Sequence, residues 1–459
     1  MNPEFRRNLW LELTPRRMIL MVALLALAFL AAALSGGKDY GIAGGAEWLF
    51  YAIVVVWGTR NAATAVVGEI RDRTWDMQLL SSIAPGAMMW GKLFGATIYN
   101  WFGGAICLGV LLSDTFVHKG APQAAIDLVF YIAIGIISQA AAFLASLVAV
   151  RRRQSHSRLD VFVYQVVGLI AGVAVYSIWS IADPAGSILT HKPASDFVIW
   201  WGRSFDTRGF LLVSLAIFTA WTLVGCYREM RLELKMRNGP LVWLAFLVFI
   251  GVYVAGFDAW LSNDKSVAGW DAVSLRLALA STLYAALTYL MVILEPKDRV
   301  HYRWLGRQLS SARLGAFLGG LQAWMTAYAA TVLCSAALLV WLHLNRPQSL
   351  EQSAVIAAAL GFLTRDVSLF VFMRSSPRRR RGDLAALGIL VGLYVLAPAI
   401  MNGLGLENLL MLFYPKPAVP LWMGLLVAWA EGLTIAVLAL SRASIRNSPA
   451  GRSQPSPAS

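Results

Sequence analysis

Long apolar segments of this sequence contain ionisable residues, among them Arg60, Arg365, Asp366 and Glu431. A charge inside a membrane is costly, so such residues pair with each other, face water or contact a substrate. We therefore predict that these four residues belong to a substrate site or a gate. The alternative is a buried ion pair that ties helices together. We expect Asp366 to leave its helix in a different direction from its neighbour Arg365.

The segment Gly86–Lys92 fits G-x-x-x-x-G-K, the start of a phosphate-binding P-loop. A P-loop next requires Ser or Thr to hold magnesium, and Leu93 stands there instead. It also requires a preceding strand and an accessible loop, whereas apolar segments flank this one. We therefore expect no nucleotide site here, and we interpret Lys92 as an anchor at the membrane surface.

No other residues form a catalytic or metal-binding pattern. The five histidines are scattered without ligand spacing, and no nucleophile stands in a pattern with a base. Cys107, Cys226 and Cys334 lie in apolar segments, which predicts buried core residues and not disulfides or metal ligands. We predict that this chain has no catalytic residue, no metal site and no cofactor of its own.

The composition indicates an all-α integral membrane protein. Of the 459 residues, 58% are hydrophobic and only 14% are charged, whereas about a quarter are charged in a soluble domain. Apolar runs of the length that crosses a bilayer must be helical, because lipid cannot satisfy the backbone. We predict twelve membrane-spanning helices, at about 18–34, 46–67, 93–113, 124–150, 159–183, 209–227, 241–260, 273–294, 314–343, 353–373, 384–402 and 419–441.

Lys and Arg predict the orientation. When alternate loops are assigned to the two sides, most of the 39 basic residues fall on the side of the N-terminus. This asymmetry predicts a multi-pass protein of the plasma membrane (the inner membrane of a bacterium) with both termini in the cytoplasm. The net charge of +14 then matches anionic lipid headgroups, and we expect no nucleic-acid partner.

Polar features recur in the same order along the chain, which predicts two related halves. Glu69–Arg73 is repeated at Glu295–Arg299, and Leu11–Leu13 at Leu232–Leu234. We predict two parallel six-helix repeats, 1–227 and 228–443, followed by a disordered cytoplasmic tail, 444–459. Because six is even, the halves share one orientation and are related by an axis along the membrane normal.

Four further elements follow from amphipathic patterns. Pro3–Leu13 and Arg228–Arg237 are predicted to be interfacial helices in front of each half. Gly68–Gly91 and Glu295–Arg313 are too long for simple connections and have room for short cytoplasmic helices. We expect the connections Pro184–Arg208 and Gly403–Pro417 to dip into the outer leaflet.

The stretch Glu69–Ala96, EIRDRTWDMQLLSSIAPGAMMWGKLFGA, resembles the signature region of type 2 ABC transporter permeases, with its Glu-Arg…Thr, Leu-Leu-x-Ser and Gly-Lys elements. The resemblance implies that this segment forms a coupling helix seated in a cleft of a separate ATPase subunit. It implies a partner that is a dimer of cytoplasmic ABC ATPase subunits, which binds ATP and magnesium, and export as the direction of transport. The second half lacks the Thr, Leu-Leu and Gly-Lys elements.

The resemblance also implies which residues contact the ATPase. Charges at the start of the coupling helix would set its register, while Trp75 and the leucines would fill a groove. These contacts are Glu69, Arg71, Arg73, Thr74, Trp75, Leu79 and Leu80 in the first half, with Glu295, Lys297 and Arg299 as counterparts in the second. A loop whose charges only determine topology is the alternative.

Two other function classes fit part of the pattern. A twelve-span secondary carrier of the major facilitator type also has parallel halves and a G-x-L-x-D-R loop, which Gly68–Arg73 partly matches. However, the residues after Arg73 lack the expected Gly and basic residues, and the loop is too long. A membrane scaffold without transport activity would also use repeated cytoplasmic binding elements.

Overall fold

The structure is a computed structural model, which describes residues 2–34, 41–151, 158–180, 197–236, 238–257, 270–295, 299–346, 350–374, 382–415 and 421–444. The chain divides into two compact units. The first comprises Met1–Val198 and Ser204–Asn238, and the second comprises Ile199–Arg203 and Gly239–Ser459. The predicted boundary between 227 and 228 therefore falls inside the first unit. The tail was predicted at 444–459; Ser444 is the last residue of a helix, and 445–459 lie outside the described residues.

Helices dominate the first unit. Asn2 caps the first helix, because its side chain accepts hydrogen bonds from the backbone N–H groups of Glu4 and Phe5. The helices of this unit are α1 (Pro3–Glu12), α2 (Pro15–Leu34), α3 (Ile42–Arg71, π-helical at Tyr51–Trp57), α4 (Trp75–Leu79), α5 (Pro85–Ala96), α6 (Ile98–Lys119), α7 (Ala121–Arg151), α8 (Arg158–Ser180) and α9 (Thr207–Glu233).

The second unit is also built of helices. Asp271 caps one of them by accepting a hydrogen bond from the backbone of Ser274. The helices are α10 (Leu241–Ala255), α11 (Ala272–Leu294), α12 (Arg299–Ser310), α13 (Leu314–Gly319), α14 (Ala323–Asn345), α15 (Leu350–Arg374), α16 (Gly382–Val391, π-helical Gly392–Leu396 and Ala397–Gly403) and α17 (Leu421–Ser444). A 3₁₀ turn, Glu407–Leu412, precedes α17.

Within the described residues, eleven helices are long and apolar enough to cross a membrane. This finding supports an all-α, multi-pass membrane protein. The expected span 241–260 is described only as α10, which has 15 residues and is roughly 22 Å long. Residues 258–269 lie outside the described part of the chain. The expected span 314–343 is divided into α13 and α14.

Two predicted elements differ from the structure. The expected interfacial helix Arg228–Arg237 is not separate, because α9 continues without a break to Glu233. The expected connection Pro184–Arg208 contains a small hairpin of two strands, β1 (Phe197–Trp200) and β2 (Arg203–Asp206). Trp201 and Gly202 adopt positive φ values of 52° and 70° in its turn, as tight two-residue hairpin turns require. By contrast, α1 confirms the helix predicted at Pro3–Leu13.

The core that bears on function lies in the first unit, where α3, α4, α5, α7 and α9 converge. Its fully buried members include Met88, Leu93, Phe143, Leu147 and Met230. Cys226 is also part of this core, while Cys107 lies in a second cluster around Phe50 and Ile134. All three cysteines are free thiols; Cys107 and Cys226 are buried, as predicted, whereas Cys334 is only partly buried.

Candidate functional site

Helix α1 lies directly against α5, and two glycines permit the close approach. A Cβ atom on Gly91 would stand 2.7 Å from the Glu4 Cβ, and one on Gly95 would stand 2.8 Å from the Asn8 Cβ. Asn8 donates a hydrogen bond to the Gly91 carbonyl at 3.0 Å. The pair Gly91 and Gly95 thus forms a small-xxx-small face of the kind that lets helix backbones touch.

A buried ion cluster joins α1, α3 and α5. Lys92 on α5 is 1% exposed, and its Nζ forms ion pairs with Glu4 at 2.8 Å and with Glu69. Arg7 forms ion pairs with the same two carboxylates, at 2.8 Å to Glu4 and 2.5 Å to Glu69. Two cations and two anions therefore balance at a place where an unpaired charge would be strongly destabilising. We call Glu4, Arg7, Glu69 and Lys92 the ion cluster.

The electrostatics of Arg7 are consistent with this balance. Burial by itself lowers the pKa of the guanidinium, but the hydrogen bond that Arg7 donates to Glu69 and the charge of Glu4 outweigh it and raise the pKa above its usual value. The side chain of Arg7 is 45% exposed, so it forms the solvent-facing edge of the ion cluster. Lys92 and Glu4 form its interior.

Helix α3 ends at Arg71, two residues after Glu69, in a motif that turns the chain sharply. Thr74 N–H donates to the Glu69 carbonyl at 2.9 Å, and Arg73 N–H donates to the Ile70 carbonyl at 3.2 Å. Arg73 has a φ of 58°, which places it in the left-handed region that closes such a Schellman motif. The residue there is usually glycine, so an arginine is held in a costly conformation.

The short helix α4, which follows this turn, has an inner and an outer side. Trp75 is 6% exposed and packs in the core of the first unit, with the Lys92 Nζ 5.8 Å from the centroid of its ring. Leu79 also packs against that core. Met77 and Leu80 point outward and are 68% and 88% exposed.

We call the outward-facing part of Arg71–Ser82 the exposed loop surface. It comprises Arg71, Asp72, Arg73, Asp76, Met77, Leu80, Ser81 and Ser82. Two apolar side chains thus stand in a ring of charged and hydroxyl groups. A surface of this composition is typical of a site that binds another protein.

The structure therefore separates the predicted coupling residues into two groups. Arg71, Arg73 and Leu80 are exposed. Glu69 and Trp75 form contacts inside the chain, with the ion cluster and with the core of the first unit. Thr74 is half-buried, and its hydroxyl donates to the Glu69 carbonyl at 3.2 Å. Together Glu69, Thr74, Trp75 and Leu79 hold the exposed loop surface in place.

The repeated segment in the second unit is built differently. Glu295 accepts hydrogen bonds from the backbone N–H groups of Ala323 and Trp324, both at 3.1 Å, and thereby caps the N-terminus of α14. Arg299 is the first residue of α12, and Lys297 lies outside the described residues. Glu69 and Glu295 match in sequence but bind different elements.

The segment that resembles a P-loop, Gly86–Lys92, is helical throughout. It is therefore not the loop that cradles phosphates. The expectation that Lys92 anchors at the membrane surface is wrong, because the residue is buried in the ion cluster.

The intramembrane residues divide between the two units. Arg60 is exposed on α3. Arg365 and Asp366, by contrast, are fully buried and form an ion pair at 2.9 Å, and Arg365 also pairs with Glu431 at 2.8 Å. The expectation that Asp366 points away from Arg365 is therefore wrong. Tyr289 and Tyr394 complete this network by donating to Asp366.

Several functional candidates were missed because their role depends on contacts between distant segments. Glu4 and Arg7 are only polar-face residues of α1 in the sequence, and Tyr289 and Tyr394 are ordinary members of apolar spans. One signal could have found the α1–α5 contact, namely the spacing Gly91-x-x-x-Gly95. No protein-family model, curated protein or solved structure matches this chain.

Proposed function

We propose that this chain is the transmembrane permease of an ATP-binding-cassette exporter, driven by a separate dimer of ATPase subunits in the cytoplasm. In this proposal both termini face the cytoplasm of a bacterial inner membrane. ATP and magnesium bind to the partner, and this chain performs no catalysis. The cytoplasmic loops after the second and eighth spans are the docking sites, and the first of them is the principal one.

The observation that carries the proposal is the exposed loop surface and its rigid support. Met77 and Leu80 stand outward on a segment that Glu69 and Trp75 tie to the ion cluster and to the core. Force applied to this surface would reach α1, α3 and α5 together, because Lys92 and Arg7 bond to carboxylates on both α1 and α3. Closure of an ATPase dimer requires such a mechanical connection to the membrane helices.

The experiment is co-purification of the tagged full chain from its native host in mild detergent. We expect a co-purifying protein that hydrolyses ATP and carries a Walker motif, as identified by mass spectrometry and an ATPase assay. The variant Met77→Arg/Leu80→Arg should lose it, because two charges replace the apolar centre of the surface. The matched control Met77→Leu/Leu80→Met, which keeps that centre apolar, should retain it.

Two outcomes would contradict the proposal. One is recovery of the same ATPase with the arginine variant and with the wild type in equal amounts. The other is proton-coupled uptake by vesicles that contain this chain alone, which would favour a secondary carrier.

A further inference from the structure

The network in the second unit contains a guanidinium whose donors are not all used. Arg365 donates from Nε to Asp366 at 2.9 Å and from Nη1 to Glu431 at 2.8 Å. Its Nη2 is buried and has no hydrogen-bond acceptor among the residues that the structure describes. Buried N–H groups nearly always have a partner. The side of Arg365 that carries Nη2 is therefore a place where an additional acceptor oxygen would be strongly favoured.

The two carboxylates around Arg365 are held very differently. Asp366 is 0% exposed and accepts three hydrogen bonds, from Arg365 at 2.9 Å, from Tyr289 at 2.7 Å and from Tyr394 at 2.6 Å. Among the described residues Glu431 bonds to Arg365 alone, and its side chain is 38% exposed. Asp366 is thus fixed in place, whereas Glu431 can leave Arg365 without breaking any other hydrogen bond or ion pair with the described residues.

The position of Glu431 also requires a polar neighbour. It lies near the middle of α17, between Leu426 and Leu433, which are 61% and 54% exposed. A carboxylate exposed to hydrocarbon at that depth is unfavourable by several kcal/mol, on the order of the cost measured for buried charges in spans. Its exposed side therefore faces water or a polar ligand, and this provides a route to Arg365 from outside the helix bundle.

We propose that Arg365 is the receptor for an anionic oxygen group, a carboxylate or a phosphate, which replaces Glu431 on the guanidinium. The incoming group would accept from both Nη1 and Nη2, because a planar guanidinium presents paired donors that match such groups. The exchange conserves charge, since one anion takes the place of another beside Arg365 and Asp366. Glu431 therefore competes with the incoming anion for the Arg365 guanidinium.

Two aromatic rings lie beside the Arg365 guanidinium and keep it in place during the exchange of anions. Arg365 Cζ lies 4.7 Å from the ring centroid of Phe362 and 5.2 Å from that of Tyr394. These rings hold the guanidinium plane in one orientation while its partner changes. The site is independent of how transport is energised, so it would hold equally for a carrier that uses no ATPase.

The test uses the full chain in neutral detergent and measures thermal unfolding during titration. Inorganic phosphate is one probe and short-chain phosphatidylglycerol is the other, with phosphatidylcholine as the zwitterionic control. The variant Glu431→Ala keeps the neutral Arg365–Asp366 pair and should fold. We expect it to reach half-saturation at about tenfold lower probe concentration than the wild type, because the competitor is gone.

Two further variants show whether the tighter binding of the probe arises at Arg365. Arg365→Lys combined with Glu431→Ala keeps the positive charge but removes the paired donors, so most of the gain should disappear. Glu351→Ala removes an exposed carboxylate elsewhere on α15 and should behave as the wild type. A response to phosphatidylglycerol alone would assign the site to lipid-like headgroups, and a response to phosphate as well would assign it to free anions.

The proposal is overturned by any of three results. These are equal half-saturation for the wild type and Glu431→Ala, an equal gain in Glu351→Ala, or no stabilisation of Glu431→Ala by either probe.

Discussion

Lys92 on α5 and Glu69 near the end of α3 form a buried ion pair, and Lys92 forms a second ion pair with Glu4 on α1. A single buried cation thus joins three helices beneath the exposed loop surface. The arrangement explains why a charged segment at the end of a span can act on the helices around it.

Removal of the shared cation should destabilise the first unit. Lys92→Met leaves Glu4 and Glu69 with Arg7 as their remaining partner, so we expect a loss of about 3 kcal/mol in the free energy of unfolding. Thermal unfolding in detergent measures the effect. The double variant Lys92→Met/Glu4→Gln should recover part of this loss, because it removes the excess negative charge and leaves Arg7 paired with Glu69. No difference between Lys92→Met and the wild type would show that the ion pair is not formed.

A methyl group between α1 and α5 should separate the two helices. Gly91→Ala would place a Cβ 2.7 Å from Glu4, and we expect it to cost about 1–3 kcal/mol. The matched control is Gly86→Ala in the same helix, where the new Cβ would be 3.6 Å from Tyr227. That control should be neutral or stabilising by up to about 1 kcal/mol, since alanine favours the helix. Limited proteolysis of the N-terminus, which should be faster only for Gly91→Ala, measures whether α1 is released.

Two substitutions at Arg73 separate the effect of its backbone strain from the effect of its side-chain charge. Arg73→Gly relieves the left-handed conformation and should stabilise the chain by about 1 kcal/mol. Arg73→Ala keeps the strain and should leave stability nearly unchanged. Both variants remove the same exposed charge, so they should weaken binding of the ATPase to the same extent. If binding instead follows stability across the pair, Arg73 acts through the backbone and not through its charge.

Glu69 and Glu295 match in the sequence repeat, but their removal should affect binding of the ATPase differently. Glu295→Ala removes the cap of α14 and should cost about 1 kcal/mol, with little effect on the amount of ATPase that co-purifies. Glu69→Ala opens the ion cluster that supports the exposed loop surface and should reduce co-purification severalfold. Quantitative mass spectrometry of both complexes, normalised to the tagged chain, measures the difference. Equal losses for the two variants would indicate two equivalent docking sites.

The sequence predicted most of the helices because long apolar runs allow no other structure in lipid. It predicted α1 because the segment Pro3–Leu13 has one apolar and one polar face. It did not predict the continuation of α9 to Glu233, because alternating charges at a helix end are compatible with an interfacial helix or with a longer span. The hairpin at Phe197–Asp206 was missed because four-residue strands produce no clear periodicity.

The candidate site could be only partly predicted. The repeat located Glu69 and Glu295 but assumed that matching residues have matching contacts, and Glu295 instead caps α14. The orientation of Trp75 could not be predicted, because a helix of five residues is too short for a periodic pattern to define its buried side. Lys92 was assigned to the surface since a lysine near a span end usually lies there. Its burial depends on Glu4, which is distant in sequence.

The proposed function requires that the exposed loop surface binds a separate ATPase. The most direct measurement is photo-crosslinking in cells, with a photoreactive amino acid placed at Leu80, which is 88% exposed, or at Trp75, which is 6% exposed. We predict that position 80 crosslinks to a protein with a Walker motif and ATPase activity, and that position 75 crosslinks only within the chain. Crosslinks from position 80 to lipid or to this chain alone would contradict the account.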